Sequence, residues 1–266
     1  MARGDSISSL VDRLELNFNE LGTDSYGISK RHLVVGFSIL GWLYRNYFRV
    51  TAVGAEHIPP RGRAMLVGNH SGGYAIDGAM VLVSALLELD PPRLAQGMAE
   101  KFINQLPLSS SWSFRTGQFT GTPENAERLL EEDRLLMIFP EGARGTAKLF
   151  RERYSMVDFG TGFLRLALKT KTPIIPFGFV GGADAVPTIY NSKTLGKLFG
   201  VPYVPFTPYG IPLPLPTKCE LHYGEPMRFE GTGDEDDAVV RGWVDQVKTR
   251  IASLMDEARQ ARGGAL

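Results

Sequence analysis

Short apolar runs alternate with longer amphipathic stretches along most of this chain, and this alternation constrains the fold more than any other feature. Strands are predicted at residues 47–53, 64–69, 93–98, 134–139, 173–180 and 218–223. Helices are predicted at residues 6–20, 30–45, 77–89, 123–132, 158–170 and 236–262. Because strands that alternate with helices pack as a sheet covered by helices, this order predicts a single α/β domain with a mostly central β-sheet.

The apolar segment at residues 33–44 is shorter than the roughly 20 residues that cross a bilayer. Cations flank this segment at Lys30, Arg31, Arg45 and Arg49. Cations and aromatic rings such as Trp42 suit the membrane interface, and a helix buried in the domain is the alternative. We expect residues 1–46 to form an N-terminal helical segment at the membrane interface. Residues 47–266 then form the main domain with a C-terminal amphipathic helix.

Charge and cysteine content exclude several classes of protein. Lys+Arg and Asp+Glu both number 29, so the charge balance does not indicate nucleic-acid binding. Cys219 is the single cysteine, which excludes an internal disulfide, and no Cys/His cluster predicts a metal site. Residues 1–30 lack the apolar core of a secretory signal, so we expect a peripheral protein on the cytoplasmic side of the membrane.

The segment at residues 191–217 contains prolines at 202, 205, 208, 212, 214 and 216. Proline at this density predicts neither a helix nor a central strand. Because the segment is nevertheless apolar and aromatic, we interpret it as a lid or wall of an apolar pocket. A loop packed over the core is the alternative.

The stretch N-H-S-G-G-x-x-x-D, from Asn69 to Asp77, follows a predicted strand. His70 ends that strand, and Gly72 and Gly73 allow the loop to fold back so that the Asp77 carboxylate reaches the imidazole. A general base needs a pKa near neutrality and one fixed tautomer, and a histidine beside a carboxylate meets both needs. Taken alone, the pair means little, because a lone histidine is more often structural than catalytic.

A second polar block follows the strand that ends at Pro140 and contains Glu141, Gly142 and Arg144. Ligands of α/β sheets bind beyond the carboxyl ends of the strands, where this block lies. Arg144 suits a phosphate or an oxyanion, and Glu141 suits the proton of a hydroxyl group. A structural Glu–Arg pair in a turn is the alternative.

Taken in order, these blocks resemble the glycerolipid acyltransferase superfamily, the lysophosphatidate-acyltransferase-like enzymes. The family motif N-H-x4-D is present here with six residues before Asp77, and F-P-E-G-[TS]-R is present as residues 139–144. Residues 174–178 resemble the fourth motif. The wider N-H-S-G-G spacing is similar to that of the branch with monoacylglycerol and diacylglycerol acyltransferases. The resemblance covers about residues 47–230 and implies a glycerol-3-phosphate-acyltransferase-like fold.

The resemblance implies transfer of an acyl group from acyl-CoA or acyl carrier protein to a hydroxyl of a glycerolipid or related lipid acceptor. This thioester is a co-substrate, and neither a metal nor another cofactor is expected. His70 takes the hydroxyl proton, and Asp77 orients the imidazole. The expected substrate-binding residues are Ser71, Arg115, Gly117, Glu141, Gly142 and Arg144. In this superfamily, an arginine near a glycine, as at Arg115 and Gly117, is typical of enzymes with phosphorylated acceptors. The residues that follow Gly117 look more like the neutral-lipid branch. Both acceptor classes therefore stay open.

Two other functional classes are alternatives to an acyltransferase. A serine hydrolase is not supported, because the sequence has no G-x-S-x-G motif and Ser71 directly follows His70. A non-catalytic lipid-binding or membrane-surface protein that retains the fold is the second alternative. The joint presence of His70, Asp77, Glu141 and Arg144 favours the enzyme.

Overall fold

A computed structural model of the chain describes residues 5–71, 75–99, 109–210 and 213–263. The strands are β1 (Thr51–Val53), β2 (Ala64–Gly68), β3 (Ala95–Ala99), β4 (Phe119–Thr120), β5 (Leu135–Ile138), β6 (Ile174–Val180), β7 (Tyr190–Ser192), β8 (Val204–Phe206) and β9 (Glu220–Tyr223). The helices are α1 (Ile7–Asp12), α2 (Lys30–Trp42), α3 (Ile76–Leu87), α4 (Ser109–Arg115), α5 (Pro123–Glu131), α6 (Ala143–Thr146), α7 (Gly162–Lys169), α8 (Gly182–Ala185), α9 (Lys193–Phe199) and α10 (Asp237–Ala261).

A mixed sheet of seven strands, in the order β1-β9-β6-β2-β5-β3-β4, forms the centre of the molecule. Strands β6, β2, β5, β3 and β4 are mutually parallel, and β9 is antiparallel to β6. Every residue of β2 and β6 is buried, as expected for parallel strands covered on both faces. Helix α10 packs along β6 and β9, while α1, α2 and α3 pack against one another. The predicted α/β fold with a central sheet is therefore confirmed.

Helix α2 has one buried face and one exposed face. Leu33 and Phe37 lie in the core, whereas the side chains of Val35, Ile39 and Trp42 are 44%, 59% and 57% exposed. We call these three residues the α2 face. The buried side fits the alternative of a helix packed in the domain, while contact of the exposed side with a membrane stays a prediction. Among the residues that the structure describes, every helix lacks either the length or the apolar character needed to cross a membrane.

Three predicted boundaries are wrong. The first helix was predicted at residues 6–20 but ends at Asp12. The strand predicted at residues 47–53 begins only at Thr51, because α2 continues into a π-helical turn at Leu43–Tyr47. The helix predicted at residues 158–170 begins at Gly162. Apolar periodicity locates such elements, but it does not locate their ends.

The prediction of an irregular segment at residues 191–217 is wrong for residues 191–199 and 204–206, whereas residues 213–217 are irregular. Helix α9 occupies a stretch of that segment without proline, and β7 pairs with β8 in an antiparallel ribbon. Pro205 lies within β8. A two-stranded ribbon has a free edge on each strand, so the missing N–H of a proline can be accommodated there. We refer to β7, α9 and β8 together as the ribbon.

Candidate active site

The carboxyl ends of β2, β5 and β6 meet at one edge of the sheet, and Asn69 joins two of them. Its side-chain amide donates to the Phe179 carbonyl at 3.0 Å, and its carbonyl oxygen accepts the Phe179 N–H at 2.8 Å. Asn69 is fully buried, so both bonds form away from water. They hold the end of β2 in place directly before His70.

His70 and Asp77 form a buried pair at this edge. The His70 Nδ1 lies 2.8 Å from Asp77 Oδ2, and the Asp77 side chain is fully buried in the first turn of α3. Asp77 also accepts the N–H groups of Ser71 at 2.5 Å and Gly78 at 2.7 Å. Because an ionised carboxylate only accepts hydrogen bonds, Nδ1 carries the proton and Nε2 remains available as a base.

Burial by itself would raise the pKa of the Asp77 carboxyl. The charge and hydrogen bond of the His70 imidazole, together with the N–H groups of Ser71 and Gly78, outweigh burial and hold this pKa below its ordinary value. Asp77 is therefore ionised at neutral pH. An ionised partner stabilises the imidazolium that forms when His70 accepts a proton.

The His70 ring is held between rigid neighbours. The Phe139 ring stacks on it with centroids 4.1 Å apart and an interplanar angle of 10°. On another side, a Cβ atom at Gly145 would lie 2.6 Å from the His70 Cβ, so only glycine allows α6 to approach this closely. The ring is therefore restrained by packing as well as by its bond to Asp77.

A buried ion pair lies under the backbone of His70. Glu141 Oε1 accepts the His70 N–H at 2.8 Å, and Oε2 accepts the Val157 N–H at 2.9 Å. The Lys148 ammonium contacts both carboxylate oxygens, at 3.1 and 3.0 Å, and donates to the Ser155 carbonyl at 2.9 Å. Both side chains are almost completely buried. Glu141 thus connects the base to the loop that follows β5.

Comparisons with known proteins bear on the family of this chain. A family model described as Acyltransferase matches residues 49–180. An uncharacterised protein of Mycobacterium tuberculosis is 34% identical over 228 residues, which are 82% of this chain and 63% of that protein. The crystal structure of the 1-acyl-sn-glycerophosphate (LPA) acyltransferase PlsC from Thermotoga maritima matches with a TM-score of 0.56 at 19% identity, over 85% of this chain and 81% of that one. The chain belongs to the glycerolipid acyltransferase superfamily.

A chicken protein named "DGAT1/2-independent enzyme synthesizing storage lipids" is 27% identical over 180 residues, 66% of this chain and 52% of that protein. The chain spans less than two thirds of the length of the mycobacterial relatives. The predicted superfamily is thus confirmed. The branch within this acyltransferase superfamily stays a prediction.

The predicted substrate-binding residues do not form one cluster in this acyltransferase-family chain. Glu141 and Arg144 have different partners, because Glu141 pairs with Lys148 while the exposed Arg144 donates to the Asp158 carbonyl at 3.0 Å. The N–H of Gly142 donates to the Phe139 carbonyl at 3.0 Å, and its φ of 58° suits glycine. Glu141 and Arg144 therefore do not pair with each other among the described residues, and their roles in substrate binding stay predictions.

Among the described residues, no contact joins the His70 ring to Ser71, Arg115 or Gly117. The buried hydroxyl of Ser71 packs against Gly182. Arg115 is exposed at the end of α4, and Gly117 precedes β4, which lies three strands from β2 and about 14 Å away at the usual strand spacing. Their roles in substrate binding stay predictions. Gly72 and Gly73 lie outside the described residues.

Sequence reasoning missed Lys148 and the stacking role of Phe139. Lys148 follows Glu141 by seven residues, a spacing typical of no particular motif. The only available signal was a lone lysine in the otherwise small-residue stretch G-T-A-K, directly after the glutamate block. Asn69 was part of the quoted motif, but its bonds to β6 required the strand order.

We expect Asp77→Asn to lower the rate of acyl transfer about a hundredfold. Both Asp77 oxygens accept N–H groups, so either orientation of an asparagine amide directs its NH2 group at a donor. The His70 tautomer and orientation are then lost. The measurement is kcat/KM for lipid product, with Asp184→Asn as the matched control, because Asp184 pairs with Arg153 and Arg262. A silent Asp77→Asn with an inactive Asp184→Asn would assign the partner to Asp184.

Proposed function

We propose that this protein is an acyltransferase that moves a fatty acyl group from a thioester donor, acyl-CoA or acyl carrier protein, to a hydroxyl of a glycerolipid or related lipid. The observation that carries the proposal is the buried 2.8 Å pair of His70 Nδ1 and Asp77 at the carboxyl edge of the sheet. Family membership and the fold shared with PlsC support the same reaction.

In the proposed reaction His70 Nε2 removes the proton of the acceptor hydroxyl as its oxygen attacks the thioester carbonyl carbon. The C–O bond forms, the C–S bond breaks, and the proton passes from His70 to the thiolate that leaves. Asp77 holds the imidazole and stabilises its cationic form. Glu141 acts as a positioning residue through the His70 N–H, since protein donors already occupy both of its oxygens.

Product analysis tests the proposal directly. The purified full chain is incubated with acyl-CoA or acyl carrier protein donors and with lysophosphatidate, monoacylglycerol or diacylglycerol, and the lipids are identified by mass spectrometry. We expect a new ester from at least one donor and acceptor. Stoichiometric lipid binding without any ester, by wild type and His70→Ala alike, would favour the non-catalytic lipid-binding alternative.

The relatives point to two acceptor classes, and Arg144 distinguishes them. The PlsC structure is named for lysophosphatidate, whereas the chicken protein is named for storage lipids. If the acceptor carries a phosphate held by Arg144, Arg144→Lys should slow its acylation about tenfold more than that of a neutral acceptor, because lysine lacks the bidentate fork. Arg151→Lys, at a similarly exposed position, is the control. Equal losses of rate on both acceptors would show that Arg144 binds the acyl donor or supports the loop that contains it.

The α2 face supports a peripheral location at a membrane, and we propose the cytoplasmic side on the sequence argument alone. Its three side chains are exposed and apolar, and Lys30, Arg31 and Arg45 lie near the ends of the helix. Such a helix lies in the interface with its apolar face in the lipid. Phe37 does not belong to this face, because it is buried in the core.

A further inference from the structure

The ribbon and the segment after it expose an apolar surface outside the His70 site. Its largest exposed side chains are Tyr190, Leu198, Phe199, Tyr209, Leu213 and Leu215. Leu198 and Leu213 are 74% and 68% exposed. Exposed apolar side chains gathered in this way mark a contact with a protein or a membrane.

A chain of contacts joins this surface to the α2 face. The Tyr209 hydroxyl donates to the Leu213 carbonyl at 3.0 Å, and the Tyr47 hydroxyl donates to the Pro214 carbonyl at 2.7 Å. The Tyr47 ring centroid lies 6.3 Å from that of Trp42, which belongs to the α2 face. Tyr47 therefore links the segment after the ribbon to the α2 face.

The charge of this joint surface selects its partner. Residues 25–55 and residues 186–218 contain no acidic residue, while they carry four and three Lys or Arg residues. Lys30 pairs with Asp12 and Lys218 pairs with Glu220, so these two cations are already neutralised. Among the ion pairs of the described residues, none involves Arg31, Arg45, Lys193 or Lys197. Lys193 and Lys197 are exposed on α9 beside Leu198. A second copy of the chain would bring like charges together across a twofold axis, whereas anionic headgroups complement them. The surface therefore fits an anionic bilayer.

The ribbon is also attached to the wall of the active site. The Asn191 side chain donates to the Ala147 carbonyl at 2.7 Å, directly after α6, the helix that packs on His70. Burial raises the pKa of the Tyr203 phenol, its hydrogen bond with Thr146 lowers that pKa, and the charge of Asp77 raises it. The bond from Asn191 to Ala147 therefore ties the ribbon to the wall of the active site.

We propose that the ribbon, the exposed side chains of Tyr209, Leu213 and Leu215 after it, and the α2 face together form one docking surface for anionic phospholipid bilayers, which places the His70 site at the lipid surface. The inference rests on the proposed function in that the acceptor is a membrane lipid. Binding to the bilayer itself requires no catalysis, so it is measured separately.

The test is sedimentation of the full chain with vesicles of phosphatidylcholine alone or with equimolar phosphatidylglycerol. We expect binding to the anionic vesicles that falls as salt rises. The double variant Leu198→Asp, Leu213→Asp should weaken partitioning about tenfold or more, because two apolar side chains no longer enter the lipid. Val239→Asp, at an exposed apolar position of α10, is the matched control and should bind like wild type.

A second variant, Lys193→Gln with Lys197→Gln, should reduce the salt dependence and leave the melting temperature unchanged. Unchanged vesicle binding by the leucine variant, with melting temperature intact, would overturn the inference. If the leucine variant loses self-association in sedimentation velocity but binds vesicles like wild type, the surface would be assigned to a second copy of the chain. Wild type that binds vesicles but transfers no acyl group would contradict the proposed function alone.

Discussion

His70→Ala should lower kcat/KM for acyl transfer about 10³- to 10⁴-fold while the protein stays folded. Among the hydrogen bonds of the described residues, the His70 imidazole is the only titratable side chain that contacts Asp77. Its Nε2 is the atom that we propose accepts the proton. Loss of the ring removes both the base and the cation that Asp77 stabilises. The product assay under saturating donor measures this loss.

His57→Ala is the matched control for His70→Ala. His57 is half-buried and contacts the Tyr223 carbonyl and Glu225, so its removal tests the effect of deleting an imidazole elsewhere in the fold. We expect its activity to remain within a few-fold of wild type. Acyl transfer by His70→Ala at a rate close to that of His57→Ala would refute the proposed mechanism.

Lys148→Met should lower the free energy of unfolding by about 3–5 kcal/mol, the usual effect of leaving one buried partner of an ion pair unpaired. The Glu141 carboxylate would keep its N–H donors but lose the only cation that contacts it among the described residues. Activity should fall with stability, because Glu141 also holds the His70 N–H. Urea unfolding, followed by circular dichroism, measures the change.

Lys169→Met is the control for the buried pair. Lys169 pairs with Glu127 on the surface, and exposed pairs contribute less than about 1 kcal/mol. The double variant Glu141→Gln, Lys148→Met should recover part of the lost stability, since a neutral amide still accepts the His70 N–H. A Lys148→Met protein as stable as Lys169→Met would show that the buried carboxylate needs no cation.

The sequence predicted the chemistry of the site wherever that chemistry is local. Asp77 follows His70 by seven residues, at the start of a helix whose apolar pattern is readable, and the pair forms as expected. Pro140 stops a strand, so the block after it was correctly placed at a strand end. The buried parallel strands β2, β5 and β6 were also located, because continuous apolar runs of this length are typical of parallel sheets.

Only the tertiary structure decided the features that depend on pairing between distant parts of the chain. Strand order determines the position of β9 between β1 and β6, the pairing within the ribbon, and the distance of Arg115 from His70. The apolar periodicity of the sequence does not reveal strand order. Lys148 reaches Glu141 because α6 turns the chain back, which no spacing rule anticipates. Apolar patterns report what each segment buries, while the order of strands decides which polar groups meet. The His70–Asp77 pair was therefore evident in the sequence, and the buried lysine beneath it was not.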